Sequence, residues 1–124
     1  MSQTRPRYLD LIRIKLPVPG LVSILHRISG FALFLFLPLL LWLLHSSLAS
    51  PDSYVRYRDV MTQPLMKLVL IGLLWAFLHH LFAGLRFVML DLHYGTSLPA
   101  ARNSSRAVLV AAVALTIALG VLIW

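Results

Sequence analysis

The chain is expected to be an all-α integral membrane protein with three transmembrane helices, read as one membrane-anchor domain over residues 1–124. Two observations carry that expectation. Of 124 residues, 60 % are hydrophobic and only 12 % charged, whereas a soluble domain is nearer a quarter charged. A soluble fold of this size has no interior large enough for so many apolar side chains, which excludes a soluble enzyme. The apolar residues also fall into three stretches, each near the roughly 20 residues that a bilayer core requires. They lie at about 23–48, 65–92 and 107–124, behind an N-terminal tail of 1–22.

The first span is densest over Phe31-Ala-Leu-Phe-Leu-Phe-Leu-Pro-Leu-Leu-Leu-Trp-Leu-Leu44. Pro38 falls inside it, which a membrane helix tolerates when its neighbours re-satisfy the freed carbonyl. The linker 49–60 follows as a loop, with Pro51-Asp52 read as a turn and Pro64 suited to the first turn of the second span. The stretch 95–105 is the second loop, with Ser104 or Ser105 as a cap for the third helix. Small residues of that helix, such as Ala111, Ala112 and Gly120, suit close packing. The polar stretch before the first apolar run is too long for a cleavable signal, and no small-residue cleavage site follows it.

The charge is lopsided: 11 Lys and Arg against 4 acidic residues, net +7. The apolar composition directs this basicity to anionic lipid rather than nucleic acid. Arg5, Arg7, Arg13, Lys15 and Arg27 lie in the tail and first-span entry, and Arg86, Arg102 and Arg106 flank the second loop. Only Arg56, Arg58 and Lys67 flank the first loop. Eight against three predicts a cytoplasmic N-terminus and second loop. There is no Cys, so thiolate metal sites and iron–sulfur ligation on this chain are excluded.

Two polar clusters interrupt the apolar spans, where ionisable groups are costly and tend to be functional. The first is Ser23-Ile-Leu-His-Arg-Ile-Ser-Gly30. Ser23, Arg27 and Gly30 share one helical face, with His26 beside it. A fixed cation, a hydroxyl and an imidazole suit a quinone oxygen or a haem propionate; the alternative is that Arg27 and His26 snorkel to lipid phosphate. The second is His79-His80-Leu-Phe-Ala-Gly-Leu-Arg-Phe-Val-Met-Leu-Asp91. His80, Gly84 and Asp91 fall on one stripe, and Gly84 leaves room for a flat macrocycle to approach the backbone. Haem ligation by His80 and an interhelical hydrogen bond from it both remain open at this point. His79 and His80 point about 100° apart and cannot share one metal on a regular helix. His45 and His93, at span ends, are expected to face headgroups or water.

At these clusters the chain resembles the cytochrome b556 subunit family of succinate dehydrogenase, a membrane anchor of bacterial respiratory complex II. The likeness runs over nearly the whole chain. It begins at Arg5-Pro6 and Leu9-Asp10-Leu11 and continues through Ser23-x-x-His26-Arg27-x-Ser29-Gly30. His80-x-x-x-Gly84-x-Arg86 and Asp91 follow, and the last apolar helix ends at Trp124. The resemblance implies a multi-helix bundle completed by a second hydrophobic anchor, with haem b and a quinone site between them. It also implies docking of the flavoprotein and iron–sulfur subunits on the cytoplasmic side of the bacterial inner membrane. It makes His80 the axial ligand of the haem iron and places the quinone at Ser23 and Arg27. His26 and Arg27 fall at the haem propionates. Phe87 stands where many members of the family carry His. A fumarate reductase anchor would look similar, and a non-redox scaffold or small transporter subunit is the alternative outside redox chemistry.

Helix geometry adds an expectation about the second haem ligand. His80 lies roughly 20 Å from the inner end of its span, His26 at the inner mouth of span one, and His45 about 28 Å beyond His26. Neither would match the depth of His80, so the other axial ligand is expected from the partner anchor.

Overall fold

The computed structural model describes residues 13–124. It contains four helices and, among the described residues, no strand: α1 (Val18–Leu48), α2 (Pro51–Thr62), α3 (Pro64–Asp91) and α4 (Leu98–Ile123). The motif residues before 13 lie outside the described residues. Helices α1, α3 and α4 are each long and apolar enough to cross a membrane. They run alternately up and down. The three expected spans are therefore present, but two begin earlier than expected, at Val18 rather than 23 and at Leu98 rather than 107.

The early starts have local causes. Pro19 and Pro99 stand in the first helical turns of α1 and α4, where proline's missing N–H is no loss and its fixed φ fits. Ser104 and Ser105 are consequently not caps. They lie inside α4 and hydrogen-bond back to the Ala101 carbonyl at 3.2 and 2.7 Å. Pro38 leaves α1 unbroken.

The linker after the first span is a helix rather than a loop. Ser50 and Ser53 cap each other's backbone N–H groups, at 2.9 and 3.1 Å, and Pro51 opens α2. Such a reciprocal box satisfies donors that a helix start otherwise leaves orphaned. Ser53 Oγ also donates to the Ser46 carbonyl at 2.9 Å and so ties α2 to the end of α1. Serine-proline pairs announce helix starts as readily as turns, and here the cap decides.

The apolar core sits where the start of α1, the end of α3 and the start of α4 converge. Val22, Ala83 and Val108 are its buried centre, with Phe82, Phe87 and Leu109 against it. Around the outside, large apolar side chains stand exposed on all three long helices, Phe34, Leu68 and Val121 among them. That distribution is stable against lipid and unstable against water. Helix α3 ends in a Schellman arrangement. Tyr94 N–H bonds the Met89 carbonyl and His93 N–H the Leu90 carbonyl, both at 2.9 Å. His93 takes the left-handed conformation (φ 64°) that this ending requires. It and His45 are exposed, as their positions at the span ends predict.

Candidate functional site

The inward stripe of α3 is Ala76, His79, Ala83 and Arg86, repeating at three or four residues. His80 stands one position round from that stripe and enters the seam between α3 and α1. Its Nδ1 is 3.0 Å from the backbone carbonyl of His26 and 3.3 Å from Ser29 Oγ. A carbonyl only accepts, so Nδ1 carries the proton and Nε2 is left with its lone pair. Ser29 is buried and donates its own hydroxyl to the same His26 carbonyl at 2.9 Å. The imidazole is thus fixed in tautomer and orientation by α1, the arrangement that metal-binding histidines generally show.

Gly30 makes this approach possible. A Cβ at position 30 would stand 2.8 Å from His80 Cε1 and 3.1 Å from Nδ1, inside any tolerable contact. Opposite it, Gly84 faces His26 Nε2, which a Cβ would meet at 3.6 Å. Each helix therefore lowers its surface with a glycine where the other presents a histidine. In place of a gap awaiting a macrocycle at Gly84, as the sequence suggests, an imidazole is there.

The rings of His26 and His80 stack, with centroids 4.1 Å apart and planes 10° from parallel. This corrects the expectation that they lie at different depths. His26 is eight residues into α1, about 12 Å, and His80 eleven from the end of α3, about 16 Å. The early start of α1 brings the two level. Depth therefore does not set His26 apart from His80.

Ser23 and Arg27 share a face of α1, as their spacing of four predicts. Ser23 is half-buried and Arg27 exposed, and Arg27 makes no hydrogen bond or ion pair among the described residues. Neither side chain hydrogen-bonds His80 among the described residues. Phe87 packs edge-on against His26, 5.1 Å between centroids. Asp91 is exposed at the end of α3 and lies apart from the histidine pair.

Ser29, His79 and Arg86 lie within the two sequence clusters, but nothing in the sequence shows what each meets. Ser29 bonds the carbonyl that orients His80. His79 is fully buried and stacked on Trp75 at 5.3 Å. Arg86 turns away from the histidines. Its Nε donates to Ser104 Oγ at 3.0 Å and its Nη2 to the Ala101 carbonyl at 3.2 Å, which locks α3 to α4.

Fold and site together define a three-span membrane protein that presents an oriented imidazole in a helix seam. A family model described as the succinate dehydrogenase/fumarate reductase transmembrane subunit matches residues 1–119. The chain belongs to that family. Over 125 residues, the whole of both chains, it is 39 % identical to the succinate dehydrogenase cytochrome b556 subunit of Coxiella burnetii. It is 34 % identical to the subunit of that name from Paracoccus denitrificans, over 91 % of this chain and 87 % of the other. With that from Rickettsia felis the identity is 32 %, over 94 % and 91 %.

Proposed function

We propose that this chain is a membrane anchor of a bacterial succinate:quinone oxidoreductase. In this reading it spans the inner membrane with its N-terminus in the cytoplasm and supplies one axial haem b ligand, His80. The observation that carries the proposal is the bond from His80 Nδ1 to the His26 carbonyl. It holds the proton on one ring nitrogen and leaves Nε2 free to coordinate, which is the state a haem iron needs. His80 would hold haem b, which when bound would supply one-electron redox chemistry, and the partner anchor would supply the other ligand.

The chain's own residues have distinct tasks. His26 and Arg27, beside His80 on α1, hold the propionates, with Arg27 as permanent cation. Ser23 and Arg27 take the quinone. Negative charge builds on the quinone oxygens during reduction, and a guanidinium and hydroxyl one turn apart stabilise it there. Both lie toward the start of α1, the end at which electrons from a cytoplasmic iron–sulfur subunit arrive. The basic excess of the tail and second loop supports that orientation and offers a docking face for the iron–sulfur and flavoprotein subunits.

The test is a set of variants in the native membrane. A b-type Soret band should co-purify with the chain and be lost in His80→Leu. Ser23→Ala and Arg27→Leu should cut quinone reduction while the haem band stays near normal. A complex with no haem band would remove His80 as a haem ligand, and one that also fails to reduce quinone would support the non-redox scaffold instead. Intact quinone reduction in an assembled Arg27→Leu complex would show that Arg27 serves lipid alone.

A further inference from the structure

A second built feature lies on the other side of α3. Between α3 and α4 is a groove of about 300 Å³, lined by apolar side chains that include Phe82, Leu85, Met89, Val108 and Ala111. Its one charged wall is Arg86, only 6 % exposed. The guanidinium spends Nε and Nη2 on Ser104 and Ala101. Among the described residues no hydrogen bond engages its Nη1 and no carboxylate pairs with it. A buried cation without a counter-ion is costly, because little solvent screens it and no opposite charge repays its desolvation.

The surroundings specify the missing anion. Arg86 is five residues from the end of α3, about 8 Å along the axis. That depth is where lipid headgroups meet acyl chains. Tyr94, two-thirds exposed, stands at the rim, where an amphipathic ring prefers to sit. Leu85 and Met89 are each more than half exposed along the outward wall, so the groove opens sideways from this chain and leaves room for a tail to enter. Arg102, on the second turn of α4, adds positive charge near the same level.

We propose that the α3–α4 groove is a specific site for one anionic phospholipid. Its phosphate pairs with the Arg86 guanidinium and one acyl chain lies along Leu85, Met89 and Ala111. The site is separate from the histidine pair and does not require the redox reading of that pair. The obvious rival for Arg86 is Asp10 of the chain's own tail, which lies outside the described residues.

The experiment is native mass spectrometry of the full chain in its purified native assembly, delipidated and then offered equal phosphatidylglycerol and phosphatidylcholine. One phosphatidylglycerol per chain should be retained, in preference by about fivefold, the ratio expected for one basic group acting on an anionic lipid. Arg86→Gln should remove the preference and Arg86→Lys keep part of it. Ala111→Phe should lower retention of both lipids with the cation intact, which covers the case that Arg86→Gln does not assemble. Arg106→Gln, outside the groove, should leave the preference unchanged. Equal retention of the two lipids, or a preference that survives Arg86→Gln, overturns the proposal. So does a preference lost equally in Arg106→Gln, or one that emerges only in Asp10→Asn.

Discussion

The two seams of α3 treat their polar groups in opposite ways. Toward α1, the carbonyl of His26 takes one nitrogen of His80 and the hydroxyl of Ser29. The other nitrogen of His80 is left uncommitted. Toward α4, Arg86 reaches across to Ser104 and Ala101 and spends two of its three nitrogens on structure. The first seam orients one side chain and leaves a nitrogen over, and the second fastens two helices. Polar residues inside apolar spans therefore do not all signal chemistry. The distinction lies in which valences the neighbouring helix consumes.

The largest expected effect that would break this contrast is at Gly30. Gly30→Ala puts a Cβ 2.8 Å from His80 Cε1, and overpacking of this kind costs about 1–3 kcal/mol. The imidazole must shift, so the Soret absorbance per assembled chain should fall several-fold. Gly84→Ala is the control for the same seam. At 3.6 Å from His26 Nε2 the new methyl makes an ordinary contact, and the absorbance should stay near normal. Equal losses in the two variants would show that helix spacing, rather than the His80 approach, governs the site.

A smaller effect is expected across the second seam. Ser104→Ala leaves the buried Arg86 Nε without its acceptor, a loss of about 1–3 kcal/mol. Thermal unfolding of the assembly should shift down while the haem band is unchanged. A haem loss there would mean that the two seams are coupled through α3. Ser29→Ala should act in the reverse sense. It removes the longer 3.3 Å contact and leaves the His26 carbonyl in place. Haem should remain bound, with a small shift in the midpoint potential measured by redox titration. The smallest effect belongs to neither seam. Ser50→Ala removes the N-cap of α2 at about 1 kcal/mol, readable as faster proteolysis of residues 50–62 with spectrum and quinone reduction unchanged.

Sequence by itself determined the class of protein and the location of its polar clusters. A bilayer imposes a length and an apolar composition that no packing detail can disguise, so three spans could be counted directly. Ionisable groups within them stand out because lipid offers no solvation, and His26, Arg27, His80 and Arg86 were all visible for that reason. Helix periodicity also put Ser23 and Arg27 on one face, since that relation is internal to a single helix. Relations between helices were not visible. The depth of His26 depended on where α1 starts, and a proline pair moved that start outward by a turn and more. The tautomer of His80 depended on a backbone carbonyl of another helix, which no side-chain pattern encodes. Gly30 and Gly84 acquired their meaning only once the opposite histidine stood against each. Arg86, a member of the second sequence cluster, turned to the other seam because azimuth relative to α4, rather than distance along α3, decides what a side chain meets.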